Sequence, residues 1–276
     1  MKWLLLAVPA FNLEHCLEAS VAKLRGELAS CEKEIGLGTH LVIVDDNSSD
    51  GTSKLCRKLG NLNGTSCWTF SSGPSRRENL ALATFATMVN KEGDGRGRFD
   101  YVGFVDADLS IDVSQVRYAV KLLQRFDLVV GNRFWGPTPG RSPARRLASF
   151  AYNLFWRFAF RSGVYDHGVG FKFFRERAFT KLVEEMGYDP SFRRGWLWDV
   201  QALLIAQRAG FSVAQIDVFW KPERRSSVRL VGDARLFGYA ARELALGRLL
   251  RVPRMSRARH FRLPDSVLSS LNSSET

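Results

Sequence analysis

The sequence predicts an α/β fold in which helices cover both faces of a mostly parallel sheet. Short apolar runs alternate with helical segments along the chain, and two of these runs end directly in carboxylates. Strands buried on both faces form near-continuous apolar runs, because helices cover both sides of a parallel sheet. The 276 residues, of which 45% are hydrophobic, are enough for one large core, which excludes a largely disordered chain.

In the first half, apolar runs predict strands and the segments between them predict helices. The run Trp3–Val8 also fits a short secretory signal, but it matches a second apolar run, Leu41–Val44, so we interpret both as buried strands. Asp50 and Thr52 suit the cap of the helix after the second strand. In chain order, the predicted elements are strand Trp3–Val8, helix Glu14–Lys33, strand Leu41–Val44, helix Thr52–Leu59, strand Trp68–Phe70, helix Asn79–Asn90 and strand Tyr101–Val105.

The second half continues the alternation of strands and helices. A Gly/Pro-rich loop over residues 136–143 precedes a long apolar helix. The tail after Pro264 is rich in serine and is expected to be disordered. In chain order, the predicted elements are helix Val113–Phe126, strand Asp127–Val130, helix Arg145–Arg161, strand Val169–Phe174, helices Arg175–Met186 and Leu197–Arg208, strand Ser212–Trp220 and a helix near Asp233–Leu250.

Positive charge is concentrated in the second half. Of the net charge of +12, residues 1–130 contribute −1 and residues 131–276 contribute +13. A basic half beside a neutral half suggests an anionic partner, such as nucleic acid, a phospholipid surface or a phosphorylated substrate. The four cysteines show no C-x-x-C spacing and the four histidines are scattered. We therefore predict reduced thiols in a cytosolic protein, with neither a disulfide framework nor a zinc site.

Carboxylates follow two of the predicted strands. The second strand is followed by Asp45, and the strand that ends at Val105 is followed by Asp106, Ala107 and Asp108. Ligands of open α/β sheets bind beyond the carboxyl ends of the strands. Asp45 is therefore placed to accept hydrogen bonds from ribose hydroxyl or base N–H groups. The two carboxylates that flank Ala107 suit a hard divalent cation that bridges them to a diphosphate.

Several motifs resemble those of family 2 glycosyltransferases, which have the Rossmann-like GT-A fold. In chain order they are Pro9-Ala10-Phe11-Asn12, residues 44–52 (VDDNSSDGT) and residues 106–110 (DADLS). Motifs of the second half resemble the dolichol-phosphate mannose synthase and polyprenol-phosphate glycosyltransferase branch. They are residues 131–134 (GNRF), the Arg145–Ser149–Asn153 spacing, Asp166, residues 170–172 (GFK) and residues 198–201 (WDVQ). The resemblance extends over about residues 3–232.

The resemblance implies a donor site and a metal site. The residues implied to hold the nucleotide of a sugar nucleotide are Pro9, Phe11, Ile43 and Asp45. Asp106 and Asp108 are implied to bind Mg²⁺ or Mn²⁺ against the diphosphate, with backbone contacts from Ala107. The chain departs from the family pattern in having Leu13 where a glutamate is usual, with Glu14 one place later, and Gln201 where another glutamate is usual. These departures bear on base and sugar selectivity.

The resemblance also implies an acceptor site. Arg133 is implied to face the phosphates at the reaction centre, and Arg145 and Ser149 are implied to bind the acceptor phosphate. A basic loop that closes over the donor is best matched by Arg225 and Arg229, although its pattern is looser than that of the family. Arginine suits these positions because its planar fork binds two phosphate oxygens at once.

The residues favour an acceptor that is already an anion. A phosphomonoester has a second pKa of about 6, so a lipid phosphate needs no strong general base. The sequence contains no obvious catalytic histidine, in agreement with such an acceptor. A sugar-hydroxyl acceptor would instead require a carboxylate base, for which Asp199 is the candidate. The alternative for Asp199 is a structural ion pair with a nearby arginine, and both interpretations stay open.

Two segments predict contact with a membrane surface, although no apolar run reaches the roughly 18 residues of a spanning helix. In the helix at 147–160, the stripe that suits a core is Leu147, Ala151, Leu154, Phe155 and Phe158. The residues off this stripe, which suit a bilayer interface, are Phe150, Trp156 and Phe160. The segment 234–263 combines apolar residues with eight arginines, which predicts a basic amphipathic surface helix or, alternatively, a helix packed on the domain.

These expectations divide the chain into a GT-A catalytic domain (1–232), a basic amphipathic helical segment (233–263) and a disordered tail (264–276). The predicted reaction is the metal-dependent, inverting transfer of a sugar from a nucleotide sugar to dolichyl or polyprenyl phosphate, by a peripheral protein at the cytoplasmic face of a membrane. The DADLS motif resembles mannosyl enzymes slightly more than glucosyl enzymes, and this resemblance implies GDP-mannose ahead of UDP-glucose. The alternatives are transfer to a sugar hydroxyl, a non-catalytic sugar-nucleotide-binding protein and a nucleic-acid-binding protein, of which the last lacks a recognised motif and is not expected.

Overall fold

The computed structural model describes residues 1–45, 47–69, 99–135, 143–186, 197–221 and 258–261. The strands are β1 (Trp3–Ala10), β2 (Gly38–Asp45), β3 (Thr65–Thr69), β4 (Tyr101–Val105), β5 (Leu128–Asn132), β6 (Phe171–Arg175), β7 (Val213–Asp217) and β8 (Ala258–Phe261). They form one sheet in the order β3-β2-β1-β4-β6-β5-β7-β8. All neighbours are parallel except the two pairs that β6 makes with β4 and β5. The α/β fold with a mostly parallel sheet is thus confirmed.

Six helices accompany the sheet in the described residues. They are α1 (Leu17–Ile35), α2 (Thr52–Gly60), α3 (Val116–Leu122), α4 (Pro143–Phe160), α5 (Glu176–Met186) and α6 (Leu197–Arg208). The helix predicted over 113–126 is shorter, because the Asp112 carboxylate accepts a hydrogen bond from the Ser114 N–H at 2.8 Å and starts a 3₁₀ turn before α3. No helix in the described ranges is both long and apolar enough to cross a bilayer.

The helices predicted over 79–90 and 233–250 lie outside the described residues, as does the tail after Pro264. Strand β8 lies within the segment 233–263, for which a helix was expected. It pairs in parallel with β7, so for these four residues the expectation of a helix is wrong. The chain therefore returns to the edge of the sheet after residue 257.

The core of the sheet follows from the apolar runs. Strand β2 is buried at all eight positions, as expected for a parallel strand covered on both faces. At the centre of the sheet, a Cβ added to Gly103 of β4 would lie 2.4 Å from the ring of Phe173 on β6. Only glycine therefore allows the phenylalanine to pack across this strand pair.

The reversed direction of β6 positions the functional site. Because β6 is antiparallel, its first residue, Phe171, pairs with Val105 at the carboxyl end of β4, and Lys172 pairs with Val130 of β5. The loop that precedes β6, residues 161–170, therefore lies at the edge where β4 and β5 end. Side chains of three separate chain segments meet at this edge.

Helix α4 packs largely in the opposite sense to the predicted one, although Phe150, predicted off the core stripe, is exposed as expected. Trp156 and Phe160, which were expected at an interface, are fully buried and their rings stack at 5.0 Å. Leu147 and Phe158, which were expected in the core, are 70% and 77% exposed. The prediction failed because both stripes of this helix are apolar, so periodicity alone does not identify the buried face.

Candidate active site

The loops after β1 and β2 are tied together by hydrogen bonds. The Asn12 N–H donates to Ser48 Oγ at 3.0 Å, and Asn12 Oδ1 accepts from the Ser49 N–H at 2.8 Å. Asn12 itself adopts the left-handed conformation, with φ of 52°. The Leu13 N–H donates to the Thr52 hydroxyl at 2.8 Å. The aromatic-Asn motif and the VDDNSSDGT motif therefore form one unit, although they lie far apart in the sequence.

Asp45 is held in place by its own loop. Its Oδ1 accepts from the Ser48 N–H at 3.2 Å and from the Ser48 hydroxyl at 2.6 Å, and its Oδ2 accepts from the Ser53 hydroxyl. The side chain is fully buried. In strand register it lies beside Ala10, so it adjoins the predicted Pro9–Phe11 segment. Ile43 is also fully buried, as part of the core, so neither of these two side chains is exposed at the candidate site.

The glutamate that follows Leu13 has a structural partner. Glu14 Oε2 accepts from the Gly51 N–H at 2.8 Å, and its carboxylate packs so closely that a Cβ on Gly51 would lie 2.2 Å from Oε1. Asp50 Oδ1 accepts from the Thr52 N–H at 3.0 Å, so its carboxylate binds the first residue of α2, although the N-cap residue is Gly51 and not the predicted Asp50 or Thr52. The Thr52 hydroxyl is used instead to hold the loop after β1.

The predicted metal ligands lie at the end of β4. Both Asp106 and Asp108 are half-buried, and Asp108 Oδ1 accepts from the Ser110 N–H at 3.1 Å. The Asp106 N–H donates to the Gly170 carbonyl at 3.2 Å, and a Cβ on Gly170 would lie 1.9 Å from Asp106 Oδ2. Glycine is therefore required where the loop before β6 approaches this carboxylate.

These two aspartates fit a hard divalent cation. No group of three or more metal-ligating side chains occurs in the described part of the chain. Mg²⁺ typically uses only one or two carboxylates and takes its remaining ligands from substrate phosphates and water. Asp106 and Asp108 supply carboxylate oxygens of this kind, so the residues suit Mg²⁺ or Mn²⁺ bound together with a diphosphate.

Arg133 is fixed by a buried carboxylate. It follows the last residue of β5, and its Nε and Nη2 donate to Asp166 Oδ2 and Oδ1 at 2.7 and 2.8 Å. Burial disfavours both charges, but their mutual attraction raises the pKa of Arg133 and lowers the pKa of Asp166. Both groups therefore stay ionised, and Nη1 of the guanidinium lies outside the bidentate pair.

Other predicted site residues surround this pair. The carboxylates of Asp106 and Asp199 lie near enough to Arg133 to contribute to its raised pKa. One interpretation expected Asp199 to pair with an arginine, but its partner is a lysine. Asp199 Oδ1 accepts from the buried ammonium of Lys172 at 2.6 Å. The reversed β6 thus brings together the ends of β4 and β5 and the first turn of α6.

The helix that carries the predicted acceptor residues is linked to Arg133. Asn153 on α4 donates from Nδ2 to the Ser149 carbonyl at 2.8 Å, and its Oδ1 accepts from the His167 N–H at 2.7 Å. His167 directly follows Asp166, so a short chain of hydrogen bonds connects Ser149 to the arginine clamp. Arg145 lies in the first turn of α4 with its side chain outside the described part of the structure, and Arg225 and Arg229 lie outside it entirely.

His167 is a neutral structural residue. Its Nδ1 contacts Asn153 Oδ1 at 3.0 Å and its Nε2 contacts Ser162 Oγ at 2.9 Å. Because an amide oxygen only accepts, Nδ1 carries the proton and Nε2 accepts from the serine hydroxyl. Burial lowers the pKa of His167 from 6.5 to about 3. This histidine orients the loop before β6 and does not serve as an acid or base near neutral pH.

The depressed pKa of His167 predicts a loss of stability in acid. The unfolded chain binds a proton near pH 6.5 and the folded chain only near pH 3, so the free energy of unfolding falls as the pH falls through this window. From about pH 7 to about pH 5, this histidine should lower it by about 2 kcal/mol. Urea unfolding of the wild type and of His167→Gln at both pH values measures the difference. Equal losses in the two proteins would contradict the assignment.

The sequence analysis assigned no role to three residues of this site. Asp166 and Lys172 stand in recognised motifs, but the sequence does not show that one fixes Arg133 and the other pairs with Asp199. Asn153 was known only by its spacing from Arg145 and Ser149. The sequence did contain one signal for Lys172: it stands within a run of aromatic residues that suits a buried strand. A charged residue buried there requires a partner of opposite charge.

Comparison with known proteins identifies the family of this chain. The sequence profile of Glycosyl transferase family 2 matches residues 6–185. This chain belongs to glycosyltransferase family 2. The match includes the loops after β1 and β2, the carboxylate pair and the Arg133–Asp166 clamp, so the site described above lies largely inside the family's own domain.

Curated relatives include archaeal and eukaryotic enzymes. The chain is 34% identical over 139 residues to glycosyltransferase AglD of Haloferax volcanii, covering 49% of this chain and 22% of that protein. It is 26% identical over 220 residues to dolichyl-phosphate beta-glucosyltransferase of Saccharomyces cerevisiae, covering 74% of this chain and 63% of the yeast protein. The chain therefore spans less than two thirds of the length of these relatives.

Solved structures confirm the fold. Glucosyl-3-phosphoglycerate synthase of Mycobacterium tuberculosis, crystallised with Mn²⁺, UDP and phosphoglyceric acid, superimposes with a TM-score of 0.58 at 17% identity, over 91% of this chain and 80% of that one. Mannosyl-3-phosphoglycerate synthase of Rubrobacter xylanophilus gives a TM-score of 0.52 at 15% identity, over 93% and 77% of the two chains. The GT-A assignment implied by the motifs is correct.

Proposed function

We propose that this chain transfers a sugar from a nucleoside-diphosphate sugar to a polyprenyl phosphate such as dolichyl phosphate. The observation that carries the proposal is the placement of opposite charges at one sheet edge. The Asp106 and Asp108 carboxylates follow β4, and the Arg133 guanidinium, fixed by Asp166, follows β5. Such an edge suits a metal-bound diphosphate on one side and a second phosphate beside the arginine.

The residues support a direct displacement. The acceptor phosphate oxygen forms the new bond to the anomeric carbon, and the bond to the donor diphosphate breaks with its electron pair leaving on the nucleoside diphosphate, so the configuration inverts. Nη1 of Arg133 donates to phosphate oxygens and stabilises charge that develops on the departing group. A cation held by Asp106 and Asp108 would neutralise the same diphosphate when bound. The acceptor is already an anion, so no general base is required.

The relatives favour a glucosyl donor. The yeast relative is named for dolichyl-phosphate glucosyl transfer, as are relatives in Trichomonas vaginalis and Dictyostelium discoideum. We therefore place UDP-glucose ahead of the GDP-mannose that the DADLS motif favoured. Loss of the family glutamate at position 13, with Glu14 used to hold Gly51, is a difference in the donor loop that bears on the base.

A donor and acceptor screen tests the proposal. Radiolabelled UDP-glucose, GDP-mannose and UDP-N-acetylglucosamine are each incubated with Mn²⁺ and either dolichyl phosphate or a free sugar acceptor. We expect label to enter the lipid fraction from UDP-glucose and to be lost when EDTA removes the metal. Transfer only to the free sugar would support the hydroxyl-acceptor reaction instead, with Asp199 as its base.

The exposed face of α4 supports binding to a membrane surface. Leu147, Phe150, Ala151 and Phe158 all lie on one side of the helix and are exposed. The helix contains three arginines and no acidic residue, so its charge complements anionic lipids. Because the proposed acceptor is a lipid whose phosphate is expected at the start of this helix, a bilayer is the occupant that we propose for this face.

Replacing Leu147 and Phe158 by serine should weaken binding to anionic vesicles at least about tenfold, because full burial of each side chain contributes about 1.5–3 kcal/mol. Co-sedimentation with vesicles of phosphatidylcholine and phosphatidylserine measures the change. Leu62→Ser, at an exposed leucine in the turn between α2 and β3, is the matched control and should bind as the wild type. Equal binding by all three proteins would exclude α4 as the contact surface.

A further inference from the structure

Lys172 places a charge in the middle of the sheet. It lies on β6 between Phe104 of β4 and Val130 of β5, and only 1% of its side chain is exposed. Its neighbours along β6, Phe171, Phe173 and Phe174, are fully buried. Burial of an ammonium group is strongly unfavourable unless it is paired and hydrogen-bonded. The partners of this lysine therefore explain why the position is tolerated.

The ammonium of Lys172 links two parts of the candidate site. It donates to the Val169 carbonyl at 2.6 Å and to Asp199 Oδ1 at 2.6 Å. Val169 belongs to the loop that also supplies Asp166, and Asp199 lies in the first turn of α6. The lysine thus fixes one oxygen of the Asp199 carboxylate relative to the arginine clamp.

Packing between β6 and α6 does not require this ion pair. Phe174, on the same face of β6, already packs against Trp198 of α6 with ring centroids 6.4 Å apart. Hydrophobic replacement of both members of a buried ion pair is often neutral, whereas removal of one member leaves an uncompensated charge. The Asp199 side chain is 19% exposed, so water can solvate its carboxylate in Lys172→Met, and we expect this variant to be destabilised but folded. We explain the pair by the direction in which it holds Asp199.

Asp199 lies near the arginine clamp. Its side chain is 19% exposed, in contrast to its buried partner, and its charge acts on Arg133. No described residue is hydrogen-bonded to its second oxygen, Oδ2. We propose that Lys172 is a positioning residue that holds Asp199 so that Oδ2 accepts a hydrogen bond from a hydroxyl of the donor sugar. This inference rests on the proposed function, because it assigns a contact within that same site.

Calorimetric titration with UDP-glucose and with UDP, each with Mn²⁺, tests the inference. We expect Lys172→Met to bind UDP as the wild type does, but to bind UDP-glucose about tenfold more weakly, the effect of one hydrogen bond to a charged group. If the wild type binds guanine nucleotides more tightly, the same comparison is made with GDP-mannose and GDP. Asp199→Asn should show the same selective loss, and the double variant should lose no more than Asp199→Asn alone, because Lys172 acts through Asp199.

Controls separate positioning from a structural role. Arg117→Met breaks different ion pairs, those with Glu27 at 2.9 Å and with Glu34 at 2.7 Å between α3 and α1, and should leave the ratio of UDP-glucose to UDP affinity unchanged. Lys172→Gln keeps an N–H donor and serves if Lys172→Met does not fold. A folded variant at position 172 with an unchanged ratio would overturn the inference, as would failure of both variants to fold. Wild-type protein that binds no sugar nucleotide would overturn the proposed function itself.

Discussion

Replacing Asp108 by asparagine is expected to lower the rate of glycosyl transfer about 10³-fold while the protein stays folded. Asp108 is half-buried and has no apolar packing role, and its contact with the Ser110 N–H at 3.1 Å can be kept by the asparagine Oδ1. What the substitution removes is the negative charge that would hold a divalent cation against the donor diphosphate. Initial rates with UDP-glucose and dolichyl phosphate at saturating Mn²⁺ measure the effect.

Asp112→Asn is the matched control for this experiment. Asp112 is a third carboxylate beyond the same strand, and its Oδ1 accepts from the N–H two residues later, that of Ser114, at 2.8 Å, as Asp108 Oδ1 does from Ser110. An asparagine keeps this cap, so we expect activity close to that of the wild type. Full activity of Asp108→Asn in the presence of metal would remove Asp108 from the donor site. An equal loss in Asp112→Asn would show that the effect is not specific to the metal position.

The strands could be predicted from the sequence because a strand buried on both faces consists almost entirely of apolar residues. The run at 41–44 predicted β2, and the carboxylates after Val105 were correctly placed at a strand end. The direction of β6 could not be predicted, because an apolar run reads the same in either direction. The position of the loop before β6 depends on that direction, so the pairing of Arg133 with Asp166 followed only from the structure.

The faces of α4 and β6 show a second limit of sequence patterns. Periodicity identified an apolar stripe on α4 as the buried one. The structure instead buries Trp156 and Phe160, which lie off that stripe. Lys172 is the one charged residue of the aromatic run F-K-F-F at 171–174, and lysine side chains are usually exposed. This lysine is nevertheless buried, because α6 covers its face of the strand and supplies Asp199. Which surface is covered is a property of tertiary packing, and short sequence windows do not record it.

Arg133→Met is expected to destabilise the fold as well as to abolish activity, so the single variant does not separate the two roles of this arginine. It would leave the Asp166 carboxylate fully buried without its bidentate partner, and the loss of one member of a buried ion pair lowers the free energy of unfolding by about 3–5 kcal/mol. Urea unfolding at neutral pH measures this loss.

The double variant Arg133→Met with Asp166→Asn distinguishes a phosphate-binding arginine from a structural one. It removes both charges, and the amide oxygen of the asparagine introduced at position 166 can still accept from the backbone N–H of residue 133, as Asp166 Oδ2 does at 3.2 Å. We therefore expect most of the free energy of unfolding to return. Transfer should stay at least about 10²-fold below wild type, because the guanidinium that stabilises the departing diphosphate alongside the metal is then missing. If activity returned with stability, the pair would serve the fold alone, and the donor phosphates would have to be bound by other cations.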